Sequence, residues 1–385
     1  MGECSRKDFI SDLPHGILDC ILTKLPIRDA IRTCVLSTKW RYQWATMTQL
    51  VIDENCVRKS QIKRKFFNFM LRCLFMHNGP ILKFSVSFKY LDECPDMDQC
   101  LRFLSRKNIK ELVLDKVSPE PTLATPAVFS CQQLISLTIK SFGMKLPRTF
   151  QGFPCLKYLH LEYNILTGEV VENLIAGCPL LEKFEFVNFE CGEFTVRAPN
   201  LKHLFLDVNF THIYLEHAPL LAAITIEIDT EFAEGKPLIT VPVTYHCLKF
   251  IQLNGVLFQE KNEVVYVHHL LLQTPNVQEL RISAVAIEDA FFEEADMDFW
   301  EKEIAADFLF KHLKIVKMSC VSSEKDMQFI KFVLRCSPVL ELMSVSYYIE
   351  DGTNMNIENA VLHFPRASPG VDIKFSVMPI PPIVF

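Results

Sequence analysis

Residues 153–164 read FPCLKYLHLEYN, and the spacing inside that stretch decides what most of the chain builds. Leu156, Leu159 and Leu161 follow an L-x-x-L-x-L pattern whose last members alternate with Tyr158, His160 and Glu162. Alternation is the period of a short strand with one buried face. Pro154 marks the turn before it, because proline has no N–H for a ladder and biases the preceding residue toward extended geometry. The pattern recurs, with any large aliphatic or Phe in the key places, as IKELVL at 109, LISLTI at 134, LEKFEF at 181 and LKHLFL at 201. LAAITI at 221, LKFIQL at 248, VQELRI at 277, LKIVKM at 313 and LELMSV at 340 follow. In a chain that is 49% hydrophobic the bare pattern arises readily by chance, so the flanks supply the specificity. Six copies carry a proline at the same offset: Pro154, Pro179, Pro199, Pro219, Pro275 and Pro338.

Each unit therefore reads as a return segment, a turn and a strand. The return is helical in VVENLIAGC and DMQFIKFVLRC but extended in GEFTV and THIYLEH. Strand starts 20 to 36 residues apart fit an α/β repeat, an irregular leucine-rich-repeat solenoid of parallel strands with helical or extended returns. The asparagine that follows such strands is present only at Asn164 and Asn209. Phe142, Phe189, Val117, Val256 and Val321 hold the slot elsewhere, so an incomplete asparagine ladder is expected. Asn209-Phe210-Thr211 forms a glycosylation sequon, read as incidental at an inward slot of a cytosolic chain. Residues 229–240, DTEFAEGKPLIT, break the pattern, as a degenerate or missing repeat would.

Composition narrows the function. Of 385 residues only 12 are glycine, and no phosphate loop or dinucleotide fingerprint occurs. A net charge of −6 argues against a dedicated nucleic-acid binder. The opening MGECSRKDFISDLP has no signal-peptide run, Arg6 breaks a myristoylation signal, and VVYVHHLLLQ is too short to span a bilayer. The expected address is therefore cytoplasmic or nuclear, with no membrane partner and with the 14 cysteines reduced. No CxxC or HxxxH spacing occurs, so no metal and no cofactor is expected.

The first fifty residues differ from the repeats. DLPHGILDCILTKLP (12–26) reads as one short helix with Ile17, Leu18, Ile21, Leu22 and Leu25 on one face. Ala30, Ile31, Cys34 and Val35 form a second stripe. Ser37 is placed to cap a third helix that carries Trp40, Trp44 and Met47. From Asp8 to Trp44, D-x-I-x-x-L-P-x-x-I-L-x-x-I-L-x-x-L-P followed by A-I-R-T-C-V-L-S-x-x-W-R-x-x-W resembles the F-box, especially its plant form. Thr38-Lys39 departs from the basic pair common there.

The last quarter, LKIVKMSCVSSEKDMQFIKFVLRCSPVLELMSV, resembles the FBD region, so the whole chain is similar to plant F-box/FBD/leucine-rich-repeat proteins. The resemblance implies a tail at 1–7, a three-helix F-box at 8–48, a helical linker at 49–78, the solenoid at 79–310 and FBD-like repeats at 311–378. It also implies a non-catalytic substrate-recognition subunit of a Skp–cullin–F-box ubiquitin ligase. Its docking residues for the Skp-type adaptor, and through it a cullin, would be Leu13, Pro14, Ile17, Leu18, Ile21, Leu22, Pro26, Val35, Leu36 and Trp40. Ile31, Cys34 and Trp44 would hold the helices together.

Catalytic constellations are missing from the sequence: there is no G-x-S-x-G elbow and no cysteine with a nucleophile's local signature. His268-His269 reads as a partly buried repeat pair. EDAFFEEADMDFWEKEIAAD (288–307) interleaves carboxylates with Phe291, Phe292, Phe299 and Trp300, which reads as an amphipathic insertion with a solvated acidic face. RKSQIKRKFF (58–67) reads as the helix joining F-box to solenoid, with nuclear import as the other reading. Outward strand residues would form a surface for an unknown protein target: Tyr158, His160, Glu162, His203, Phe205, Asp207, Gln252 and Arg281, with Lys183, Glu185, Asn254 and Glu279. Two alternatives stay open, a solenoid pocket for a small molecule and an F-box protein that uses the adaptor outside a ligase.

Overall fold

The structure is a computed structural model that describes residues 13–57, 62–94, 96–117, 122–123, 126–228, 238–240, 244–285, 295–296, 298–304, 309–348 and 357–378. Within these, the side chains of 62, 122–123, 188–192, 208–212, 238–240 and 303–304 lie outside the description. The chain forms two compact units, 1–166 with 176–181, and 167–175 with 182–385.

In the first unit, two prolines set the start of the helices. α1 (His15–Leu22) begins straight after Pro14 and α2 (Ile27–Arg32) straight after Pro26, both prolines being extended and outside the helix. The third helix expected from Ser37 does not form. Trp40 N–H donates to Ser37 O, Gln43 N–H to Trp40 O and Ala45 N–H to Tyr42 O, so the segment runs in turns and one 3₁₀ turn, Gln43–Thr46. Trp40, Trp44 and Met47 are still buried, so side-chain packing rather than helix propensity fixes this segment.

The region expected as a purely helical linker, 49–78, opens instead on a strand. β1 (Gln49–Ile52) buries Leu50 and Ile52, and α3 (Ile62–Met76) follows. The unit continues with β2 (Lys83–Ser87), α4 (Met97–Arg106), β3 (Glu111–Asp115), β4 (Thr122–Leu123), β5 (Ser136–Lys140), β6 (Phe142–Gly143) and β7 (Tyr158–Glu162). β1, β2, β3, β5 and β7 pair in that order, all parallel, while β4 pairs with β6 apart from them. Parallel pairing in chain order needs a return after every strand, which is the repeat logic of the sequence.

The inward residues Phe84, Val86, Leu112, Leu114, Leu137, Ile139, Leu159 and Leu161 are buried. Behind them Phe66 stacks on Phe88 at 4.0 Å between ring centres. Asn164 is buried and makes the rung expected of it: Nδ2 donates to Ile139 O (3.0 Å) and Oδ1 accepts from Phe142 N–H (3.1 Å). Phe142, Val256 and Val321 are buried in the equivalent slot, whereas Val117 is exposed, and the side chains of Phe189 and Asn209 lie outside the description. Gly152 has φ +93°, and a Cβ there would sit 2.1 Å from Gly177 O. Only glycine permits that backbone approach.

The second unit holds α5 (Gly168–Ala176) up to residue 175, β8 (Lys183–Arg197), β9 (His203–His217), β10 (Ala223–Glu227), β11 (Leu238–Thr240), β12 (Phe250–Val256), α6 (Lys261–Leu272) and β13 (Glu279–Ala284). α7 (Phe299–Ile304), β14 (Ile315–Val321), α8 (Glu324–Cys336), β15 (Leu342–Tyr348), α9 (Ile357–His363) and β16 (Asp372–Met378) complete it. The strands again add in parallel: β8, β9, β10, β12, β13, β14, β15, β16, with β11 against the second half of β9. The 15-residue strands β8 and β9 contain the returns GEFTV and THIYLEH, and these are extended as expected. The returns at α5 and α8 are helical, also as expected. Within 229–240, β11 is described and 229–237 lie outside the description. The FBD-like stretch forms β14, α8 and β15, with a capping box in which Ser323 and Asp326 bind each other's backbone N–H. Among the described residues, no helix is long and apolar enough to cross a membrane.

Candidate functional site

α1 and the segment just beyond α2 expose apolar residues, and polar contacts hold α1 in place. Thr48 donates from N–H to Asp19 Oδ1 (3.1 Å) and from its hydroxyl to Asp19 Oδ2 (2.9 Å), fastening α1 to the entry of β1. His15 Nε2 lies 3.0 Å from Thr46 Oγ1, and Asn78 N–H donates to Ala45 O (2.8 Å). His77, buried at the end of α3, places Nε2 2.7 Å from Met47 O. Burial pulls its pKa below 6.5, outweighing the Met47 carbonyl.

With α1 clamped, its apolar stripe divides. Ile17 is 48% exposed and Ile21 38%, while Leu18 and Leu22 are buried. Val35 and Leu36, just beyond α2, are 86% and 66% exposed. Pro14 and Pro26 are exposed and Leu13 half-buried. Three of the residues expected to dock an adaptor, Leu18, Leu22 and Trp40, are buried against the chain itself. A stripe over 17, 18, 21, 22 and 25 covers a wide arc, and one side of it faces the chain's own core. Leu25 (37%) and Tyr42 (66%) join the exposed set and were missed; Leu25 belonged to the helical stripe and could have been found. Among the three residues expected to hold the helices, Trp44 is buried, Ile31 and Cys34 are half-buried, and Cys34 Sγ donates to Arg41 O (2.8 Å). Full burial of an exposed aliphatic side chain of this kind is worth about 1.5–3 kcal/mol.

The outward strand residues fall in two sets. In the first unit, Tyr158, His160 and Glu162 stand opposite Ser136, Thr138 and Lys140. His160 Nε2 is 3.0 Å from Glu162 Oε2, and Lys140 also pairs with Glu162. Burial raises the Glu162 carboxyl, but these two partners outweigh it and hold it below its usual range. In the second unit, His203, Phe205 and Asp207 stand opposite Ala223, Thr225 and Glu227, and Gln252 opposite Arg281. Arg281 Nη2 is 2.7 Å from Glu279 Oε1, and its guanidinium lies 5.1 Å from the Phe250 ring centre. Each set lies on the sheet face opposite the buried leucines of its own unit.

Other candidate chemistry resolves into packing. Burial raises the thiols of Cys56 and Cys336 to about 11, and those of Cys73, Cys100, Cys131 and Cys178 to about 12, so all six stay protonated at neutral pH. His268 is buried against Phe299 and Trp300, while His269 is exposed. Trp300 packs on Phe329 and Phe332 of α8, whereas Asp296 and Glu301 are exposed and pair with Lys302 and Lys331. Over 295–296 and 298–302 that matches the amphipathic division read for 288–307; the rest of the stretch, with Phe291 and Phe292, lies outside the described side chains, as do 58–61 of the basic stretch. No group of three or more His, Cys, Asp or Glu among the described residues is placed to hold a metal ion.

Comparison with known proteins agrees with this architecture. Residues 10–48 match the F-box domain profile. Residues 97–244 match the profile described as "FBD-associated F-box protein At5g56370, LRR repeats". The Arabidopsis thaliana F-box/FBD/LRR-repeat protein At1g13570 is 37% identical over 417 aligned positions, covering 97% of this chain and 99% of the relative. F-box/FBD/LRR-repeat protein At1g80470 of the same plant is 26% identical over 90% of this chain and 74% of its own length. FBD-associated F-box protein At5g56370, also from Arabidopsis thaliana, is 32% identical over 51% of this chain and 48% of its own length. F-box proteins act in general as non-catalytic, substrate-recognising subunits of Skp–cullin–F-box ligases, and an F-box implies binding to a Skp-type adaptor. With the F-box, the repeats and the near full-length relative in agreement, this chain belongs to the F-box/FBD/leucine-rich-repeat family.

Proposed function

We propose that this chain is the substrate-recognition subunit of a Skp–cullin–F-box ubiquitin ligase, acting in the cytoplasm or nucleus. The half-buried Leu13 and the exposed residues Pro14, Ile17, Ile21, Leu25, Pro26, Val35 and Leu36 bind the adaptor, and the adaptor carries the cullin. The repeats form an irregular solenoid whose strand face binds a protein target. The chain's own part in the reaction is positioning: it brings a target lysine near a ubiquitin-loaded enzyme held by another subunit. The observation that carries this reading is the exposure of Ile17 and Ile21 on α1, which is anchored to the first strand through Asp19 and Thr48, together with that of Val35 and Leu36 just beyond α2. Co-expression with a plant Skp adaptor and cullin tests it. All three are expected to co-purify as one complex, and recovery of the chain with adaptor but without cullin would overturn the ligase assignment.

A further inference from the structure

In the second unit the pairing register aligns outward side chains into rows that cross the strands. Arg281 stands opposite Lys317, Lys317 opposite Ser344, and Ser344 opposite Lys374. Two residues further along these four strands come Ser283 opposite Ser319 and Ser346 opposite Ser376, with a register shift between β14 and β15. The two rows hold cations and hydroxyls and no carboxylate. The row before them is Glu279, Ile315, Leu342 and Asp372. Glu279 reaches Arg281 (2.7 Å) and Lys317 (3.6 Å), and Asp372 reaches Lys374 (3.3 Å), so three cations meet two carboxylates. The three cationic side chains keep 41% to 64% of their surface in solvent.

On β8 to β12 the same rows have the opposite sign. Glu185 aligns with Phe205, Thr225 and Gln252, and the next row is Val187, Asp207, Glu227 and Asn254. Lys183 pairs with Glu185 (2.6 Å), and Asn254 Nδ2 donates to Glu227 (2.6 Å). These two rows hold three carboxylates and no lysine or arginine. The neutral positions Thr225, Gln252 and Asn254 separate the two halves.

We propose that this face binds an extended polypeptide segment of segregated charge, with basic side chains over β8–β10 and acidic side chains over β13–β16. Clustered charge steers such a segment into one register, and the opposite register is penalised by like charges. From β9 to β14 there are four neighbour steps. At roughly 4.8 Å each these span about 19 Å, which an extended segment covers in about six residues. The inference rests on the reading that the strand face recruits the target.

Two measurements separate the inference from that reading. Synthetic fluorescent peptides of equal composition are titrated against the full-length chain. Two carry three lysines, a six-residue neutral spacer and three glutamates, one in each chain direction; a third alternates lysine and glutamate. One of the segregated peptides is expected to bind about tenfold tighter than the alternating one at about 50 mM salt, with the gap closing near 0.5 M. Lys317→Glu with Lys374→Glu is expected to erase the preference. Binding of all three peptides within twofold would overturn the proposal. Thr225→Trp with Gln252→Trp fills the neutral centre and tests target recruitment by proximity labelling. If that variant loses its targets while the peptides bind alike, recruitment stands and charge segregation falls; if it keeps them, both fall.

Discussion

Asn164 bridges two repeats with one amide, donating to Ile139 O and accepting from Phe142 N–H inside the core. Asn164→Ala leaves both backbone groups buried without that partner, at about 1–3 kcal/mol for each unsatisfied group. Chemical denaturation of the variant should show a loss of about 2–6 kcal/mol for the two groups together, larger than that of an exposed control such as Asn78→Ala. His77 gives the chain a pH-dependent joint. Its folded pKa lies below the unfolded 6.5, with Lys107 and Asp19 as its charged influences and the Met47 carbonyl bound to it. The unfolded chain therefore takes up the proton first, so this contribution is complete above about pH 6.5 and falls away below it. Thermal melts from pH 7.5 to 5.5 should show that decline, and His77→Gln should flatten it. At this scale the sequence is legible where a residue's job is local. Asn164 was readable because the slot follows a strand of fixed length; the burial of Leu18 and Leu22 was not, because it depends on how Asp19 and Thr48 set the roll of α1.

Elements follow their local signals with two exceptions. The prolines at 14 and 26 delimit α1 and α2, and the extended returns of β8 and β9 were readable from alternation. The helix expected after Ser37 gives way to turns because two tryptophans find buried positions without a full helix. β1 passed unread because QLVI is short, leaves Val51 half-exposed and has no proline before it. In α8 the sequence S-E-K-D is explicit: Ser323 Oγ accepts from Asp326 N–H (3.1 Å), and Asp326 Oδ2 accepts from Ser323 N–H (2.8 Å). Burial raises the Asp326 carboxyl while the Ser322 and Ser323 N–H groups oppose the rise. Ser323→Ala should lower stability by about 1 kcal/mol. The same variant should speed amide exchange in the first turn of α8 more than in β14.

At the scale of the whole molecule, the N-terminal helices are an outgrowth of the first unit rather than a separate bead. Thr48 and Met47 bind α1 and α3 respectively, and β1 enters the sheet directly after them. The sequence separated an F-box from its repeats by motif, and motif is silent on how the two meet. That meeting decides which apolar residues are left exposed, and so which of them the proposed docking surface contains. The most direct test is the affinity of the full-length chain for a Skp adaptor, measured for Val35→Glu with Leu36→Glu beside Leu22→Ala. The exposed pair should lose adaptor binding by about tenfold or more with an unchanged melting temperature. Leu22→Ala should instead lose about 2–5 kcal/mol of stability and, while folded, keep its affinity. Full adaptor binding by the Val35→Glu, Leu36→Glu variant would contradict the account.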